Sequence, residues 1–291
     1  MKLDPLLNPE TIAVIGASRN PGRVGHEILA NLIKGEFPGT LVPVNPAAGE
    51  VPGLPCYKDL EDYGKSIDLG IVAVVPAQVR AAVESALEAG AWAVAVITSG
   101  FKELGPEGAR LEAEIVKLCA DRGSRLLGPN CLGVINTHKR MNASFARTMP
   151  PAGGISVVSQ SGALIAAILD WALGRGLGFA KVVSIGNKAD LTEIDFLRAF
   201  ARDPETRVIV GYLESIVSGD AFIKAAEAAS ALKPVVIYKA GVTPGGFRAV
   251  AAHTGGLAGE DLAYGAAFKR SGVIRADTFE ALFDYATALA M

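Results

Sequence analysis

The sequence predicts an α/β protein made of two doubly wound domains in tandem. Three observations carry this. Short, continuously apolar runs alternate with stretches of helical periodicity, the pattern of strands buried on both faces of a parallel sheet. The pattern lapses over Thr137–Gly153 and then restarts. The 33 glycines suit loops that bring backbone close to a ligand. A length of 291 residues is too great for one small core and fits two domains.

In order along the chain, TIAVIGA (Thr11–Ala17) is the first strand, and a helical pattern runs from about Val24 to Ile33. GTLVPVNP, DLGIVAVVP, WAVAVITSG and RLLGPN supply further strands, with the clearest intervening helices at Gln78–Ala89 and Glu107–Asp121. This half reads as Rossmann-like. TMPPAGG, within the irregular segment, is the expected crossover between domains. GISVVSQSG then gives a strand and turn, and Ala163–Leu173 a helix. AKVVSIGN, RVIVGYLE and PVVIYKAG give three more strands, and Asp261–Ala290 is expected to be mostly helical. Ligands of such sheets sit beyond the carboxyl ends of the strands. The polar and glycine residues of IGAS, VVPA, ITSG, GPN, VSQSG, SIGN, YLES and YKAG therefore mark where chemistry is expected. The last residues, FEALFDYATALAM, carry no stop signal, so the chain reads equally as a subunit or as a piece of a longer one.

A net charge of −2 without a basic stripe argues against nucleic acid and anionic membrane as partners. Cys56, Cys119 and Cys131 are odd in number and lack metal-ligand spacing, which fits a reducing cytoplasm, and no metal site is expected on this chain. No apolar run approaches the ~20 residues of a membrane span, and the first residues lack a secretory-signal layout.

The loop GASRNPGRVG (Gly16–Gly25) follows the first strand and opens a helix, where bare amides bind phosphate. It is not a dinucleotide loop. Ser18 stands at the second fingerprint glycine, and Asn45 and Pro46 stand where a ribose-gripping acid belongs. A phosphate-bearing ligand other than NAD is expected. In RAVAAHTGGLAGEDLAYGAA (Arg248–Ala267), His253 is surrounded by small residues, which leaves room for a substrate to approach. His26 and His138 carry no such signal, Cys131 reads as a packing residue, and Trp92 and Trp171 as core.

Taken together, IAVIGASRNPGRVG, VPVNP, DLGIVAVVPA, ITSGFKELGPEG, LLGPNCLGVIN, VVSQSGAL, SIGNKADL, YLESI, KPVVIYKAG and AAHTGGLAG resemble, in order over nearly the whole chain, the nucleoside-diphosphate-forming acyl-CoA synthetases. These include the α-subunit of succinyl-CoA synthetase and, more closely, ADP-forming acetyl-CoA synthetase. The resemblance implies a CoA-binding Rossmann-like domain over residues 1–147 and a flavodoxin-like ligase domain over 148–291. It implies that coenzyme A contacts Gly16, Ser18, Arg19, Asn20 and Gly22, then Val75 and Pro76, Ile97, Thr98, Ser99 and Gly100, and Asn130. It makes His253 the phosphoacceptor and Glu214 the carboxylate that orients it. Ser159, Gln160, Ser161 and Gly162 open a helix facing the phosphohistidine, with Thr254 and Gly255 as further phosphate donors. Many members carry a lysine just after VNP, where this chain has Ala47 and Ala48, leaving Arg19 or Arg23 as substitutes.

The chemistry suits these residue types. A neutral imidazole nitrogen is the nucleophile, and a carboxylate on the other nitrogen fixes the tautomer and stabilises the phosphorylated ring. Helix N-termini offer the phosphate amide donors without bulk. Glycines 241, 245, 246, 255, 256 and 259 leave backbone freedom on both sides of His253, so it is expected to travel between two sites. The implied activity interconverts acyl-CoA, phosphate and ADP with acid, CoA and ATP, with acetyl-CoA favoured. ATP/ADP and Mg are expected on an ATP-grasp partner subunit or domain, in an oligomer. The alternative is a CoA-sensing regulatory module of a protein acetyltransferase. An NAD-dependent oxidoreductase is disfavoured by Ser18 and Asn45.

Overall fold

A computed structural model describes residues 3–47, 49–242 and 261–291. The apolar run at the start of the chain forms β1 (Thr11–Ile15), which pairs in parallel with β2 (Thr40–Val44). A small antiparallel hairpin, β3 (Glu50–Val51) and β4 (Leu54–Pro55), follows. Then β5 (Leu69–Val72), β6 (Ala93–Val96) and β7 (Arg125–Leu127) complete a five-stranded parallel sheet of order β2-β1-β5-β6-β7. All residues of β5 and β6 are buried, as strands covered on both faces must be. The covering helices are Val24–Lys34, Pro76–Glu88 and Pro106–Asp121, close to the sequence expectation. The strand order reverses between β1 and β5, which creates a crevice at their carboxyl ends.

The second sheet has seven strands. Its parallel part comprises β10 (Ala152–Ser159), β11 (Phe179–Ser184), β12 (Val208–Leu213), β13 (Val235–Lys239) and β14 (Ile274–Ala276). The sheet order is β14-β13-β12-β10-β11-β8-β9, so its parallel strands have the flavodoxin-like arrangement, with the reversal between β10 and β12. The Asp261–Ala290 stretch is mostly helical as expected, with β14 dividing it into helices Asp261–Ser271 and Phe279–Ala290, the second capped by the Thr278 side chain. Three residues at a sheet edge carry too little periodicity to be seen in sequence.

The two remaining strands, β8 (Gly133–Asn136) and β9 (Met141–Ser144), form an antiparallel hairpin that pairs with β11. Sheet membership thus changes between Leu127 and Gly133, upstream of the expected boundary at residue 147, and part of the expected irregular crossover is a strand. Polar Asn142 and Ser144 hid it: they are buried, and their needs are met locally by hydrogen bonds. Asn31 of the helix Val24–Lys34 donates to the carbonyls of Ser144 (2.9 Å) and Ala146 (2.7 Å), so the hairpin ties the first half to the second sheet. Among the described residues no helix is long and apolar enough to cross a membrane.

Candidate functional site

Glycines set the first crevice. Gly16 leaves β1 at φ +95°, and a Cβ there would lie 2.4 Å from the Ala73 carbonyl oxygen. Gly25, in the first turn of the following helix, is tighter still: its Cβ would lie 2.0 Å from the Gly16 oxygen. Between them Ser18 Oγ accepts the Asn20 N–H at 3.1 Å, and Glu27 accepts the Gly22 N–H at 2.7 Å. Arg19, Asn20, Gly22 and Arg23 are exposed. Asn45 donates to the Ala17 carbonyl at 2.6 Å and accepts the Ala47 N–H at 2.8 Å, so the place of a ribose acid is taken by a side chain that braces the loop. His26 Nδ1 lies 2.9 Å from the Ser18 carbonyl, a bracing role of the same kind.

In the second crevice, Ser161 caps the helix Gly162–Leu173 by accepting the Leu164 N–H at 3.2 Å. Buried Ser159 accepts the Ser161 N–H at 3.1 Å, which fixes the turn before the helix. Gln160 reaches across to β12: its Oε1 accepts the backbone N–H groups of Glu214 (2.7 Å) and Ser215 (3.0 Å). Glu214, buried at the end of β12, is thereby held beside the N-terminus of that helix.

Both crevices open into one cavity of about 910 Å³. Of the residues expected to contact CoA, Pro76, Ile97, Thr98, Ser99 and Asn130 line it; of those around the phosphohistidine, Gln160, Ser161, Gly162 and Glu214 do. Gly16, Ser18, Arg19, Asn20 and Gly22 form the neighbouring loop and do not line it, nor do Val75, Gly100 and Ser159. Val75 is exposed and occupies the position just before the helix Pro76–Glu88, while Gly100 donates its N–H to Glu103 at 2.6 Å. His253, Thr254 and Gly255 lie outside the described residues.

Cys131 is on the cavity wall, buried, with its thiol directed at the Val96 carbonyl (3.3 Å). Burial pushes its pKa up to about 12, so the thiol stays protonated and packs, as expected. His138 is exposed, near the Gly153 carbonyl.

Sequence reasoning missed a polar group that joins the two halves at the cavity rim. Asn187 Nδ2 donates to Glu103 (2.6 Å) and Glu112 (2.8 Å), and its Oδ1 accepts from Asn130 (3.3 Å). Lys102 donates to the Asn187 carbonyl at 2.5 Å and lies 3.3 Å from Glu112. Burial pushes the Glu103 pKa up, but the Asn187 amide and the Gly100 N–H outweigh it, and the net shift is downward. Behind the rim, Arg125 of β7 clamps Asp190 at 2.8 Å, while Asp195 completes a capping box with Thr192. Lys188, on the cavity wall, forms a buried ion pair with Glu193 at 3.1 Å. The only sequence signal for these was position: GNKADL follows a strand end.

The two doubly wound domains share one cavity, lined by the N-terminus of the helix Gly162–Leu173 and by the buried Glu214 carboxylate, with the glycine loop adjoining it. A CoA binding domain family model matches residues 10–137, and a succinyl-CoA ligase like flavodoxin domain model matches residues 152–289. The chain is 46% identical over 287 residues to acetate–CoA ligase (ADP-forming) I of Archaeoglobus fulgidus, covering 99% of this chain and 42% of that protein. It is 41% identical to the acetate–CoA ligase (ADP-forming) I subunit alpha of Pyrococcus furiosus, over 99% of this chain and 63% of that one. Among solved structures it resembles the dinucleotide forming acetyl-coenzyme A synthetase 1 of Ca. Korarchaeum cryptofilum in complex with phosphate and ADP, with TM-score 0.95, 40% identity, 99% of this chain and 62% of that one covered. By family model the chain joins a CoA binding domain to a succinyl-CoA ligase like flavodoxin domain; it is similar to ADP-forming acetate–CoA ligases and spans less than two thirds of the length of these relatives.

Proposed function

We propose that this chain is the CoA-binding and phosphohistidine-bearing, α-type part of an ADP-forming acyl-CoA synthetase. The observation that carries the reading is the single cavity shared by the two switch-point crevices, with Glu214 and the Gly162–Leu173 helix N-terminus on one wall and Pro76, Thr98 and Asn130 on the other. The residues fit a CoA thioester: the wall is mainly apolar with a few polar groups, and glycine backbone closes the adjoining loop. Gly16, Ser18, Arg19, Asn20 and Gly22 are assigned to its phosphates, with Val75 and Gly100 beside the path.

In the direction of ATP synthesis, phosphate attacks the thioester carbonyl carbon, the C–S bond breaks and CoA leaves, giving an acyl phosphate. His253 then takes the phosphoryl group as the P–O bond to the acyl oxygen breaks and the carboxylate leaves. Glu214 orients the imidazole, while the Ser161 hydroxyl and the Gly162 amide at the helix N-terminus receive the phosphoryl oxygens, with Thr254 and Gly255 as further donors. Phosphohistidine finally charges ADP. The ADP/ATP and Mg sites are assigned to an ATP-grasp partner subunit or domain; the relative in Pyrococcus furiosus being a subunit alpha supports a partner. Acetyl is the favoured acyl group, on the names of the relatives. Those names also favour a ligase over a regulatory CoA sensor. The division into a CoA domain (1–147) and a ligase domain (148–291) is kept for the functional parts, and the 133–144 hairpin belongs structurally with the second sheet.

The test is to supply acetyl-CoA and radiolabelled phosphate without nucleotide. Acid-labile, base-stable label is expected on His253, none in His253→Ala, and unchanged CoA binding in that variant. Labelling of His253→Ala at the wild-type rate would show the reading to be wrong.

A further inference from the structure

Three strand ends of the second sheet converge on one side chain. Lys188 lies beyond β11, on the cavity wall, 7% exposed, with its backbone at φ +47°. An ammonium has three N–H donors, and its acceptors here are the Ser215 carbonyl at 2.6 Å, Glu193 Oε2 at 3.1 Å and Gln160 Oε1 at 3.5 Å. Gln160 follows β10 and Ser215 follows β12, so Lys188 staples the loops on either side of the switch point. The same Gln160 oxygen accepts the Glu214 and Ser215 amides.

With its donors engaged, Lys188 is a fixed charge and is not poised as a nucleophile. Burial holds its pKa below the usual lysine range, against the opposing pull of the Glu193 carboxylate. Stability does not account for the pair. Buried ion pairs are often no better than apolar residues of the same volume. Glu193 is moreover 1% exposed with Oε1 lacking a partner among the described residues. The left-handed backbone at a non-glycine residue points the same way, since such conformations are unfavourable and concentrate at working sites.

We propose that Lys188 is a positioning residue that holds the Gln160 and Glu214–Ser215 loops in register for an anionic phosphoryl group. The inference rests on the phosphohistidine reading above. Glu214 and the incoming phosphoryl group are both anionic, and they must approach one another. Lys188 supplies a cation on the same wall, and through Gln160 and Ser215 it keeps the Glu214 backbone from withdrawing. Lys188 itself forms and breaks no covalent bond.

The experiment uses the full protein with its ATP-grasp part, nucleotide withheld, and follows label from radiolabelled phosphate and acetyl-CoA. Lys188→Met/Glu193→Gln removes both charges of the pair while roughly conserving volume, so no buried charge is left alone. It is expected to keep the wild-type circular dichroism and CoA affinity, to label about ten- to a hundredfold more slowly, and to show a raised KM for phosphate with the KM for acetyl-CoA unchanged. Lys188→Arg, which keeps a cation, is expected to recover part of the rate. A double variant with wild-type labelling and wild-type KM for phosphate overturns the proposal, as does one in which the CoA and phosphate terms deteriorate together. Absence of label in the wild-type protein overturns the phosphohistidine reading and this inference with it; label in the wild type with an insensitive variant overturns this inference alone.

Discussion

Asn187→Ala is the sharpest perturbation of the seam between the two halves. The variant keeps the backbone carbonyl that accepts from Lys102 but loses both Nδ2 bonds, to Glu103 at 2.6 Å and Glu112 at 2.8 Å. Glu112 is 7% exposed, so losing a hydrogen bond to its carboxylate costs about 1.5–3 kcal/mol. Glu103 is only partly buried, and solvent screening reduces its share to roughly 0.5–1 kcal/mol. The Asn130 bond, at 3.3 Å on the cavity edge, is replaced by water at little cost. The sum is about 2–4 kcal/mol, which at roughly 2–4 °C per kcal/mol lowers Tm by about 4–16 °C. The pH dependence adds a second readout. The folded pKa of Glu103 is lowered from the usual 4.5, so its contribution is fully present above that value and is lost as pH falls through the folded pKa. The Tm difference between wild type and variant should therefore narrow in acid. Thermal unfolding followed by circular dichroism at neutral pH and well below the glutamate range measures both. A shift under ~1 °C at neutral pH would refute the reasoning, and a difference undiminished in acid would remove Glu103 from it.

Gln160→Leu leaves the buried Glu214 amide and the neighbouring Ser215 amide without an acceptor, at about 1–3 kcal/mol for the buried one; amide hydrogen exchange at those two positions should speed up while the rest of β12 keeps its protection. Gly25→Ala drives a Cβ to 2.0 Å from the Gly16 oxygen, far inside the ~3.5 Å of ordinary contact. The loop must shift, costing about 1–3 kcal/mol, and calorimetric CoA affinity should fall roughly tenfold or more; unaltered affinity would take this loop out of the CoA site. Glu214→Gln should slow labelling of His253 about ten- to a hundredfold without unfolding the chain, and a wild-type rate would end its role in orienting the imidazole.

What was legible in the sequence was local. Buried parallel strands announce themselves as unbroken apolar runs such as GIVAVV and VAVI, and glycine or proline marks where each one stops. From that alone, the ends of β1, β5, β6, β10 and β12 were placed with their loops, and Glu214, Gln160 and the Gly16 loop came with them. The elements that escaped are those whose identity is not local. β9 is a buried strand rich in polar residues, kept in place by Asn31 from another helix. β14 is three residues long and exists because β13 offers it an edge.

The site divides in the same way. Strand-end position marked the VSQSG and YLES loops as places for chemistry, and the family resemblance then singled out the serines of one and the acid of the other. Which loops share a cavity depended on strand order, since only the reversal between β10 and β12 brings Gln160 to the Glu214 amide. Lys188, Glu193 and Asn187 look like ordinary polar residues of a loop and a helix start. The Glu193 carboxylate and the closeness of two other loops hold Lys188 in place, and the approach of elements from the two halves makes Asn187 a joint. The chain wrote down its strands and turns; the distances between residues far apart in sequence were set only when the two sheets came together.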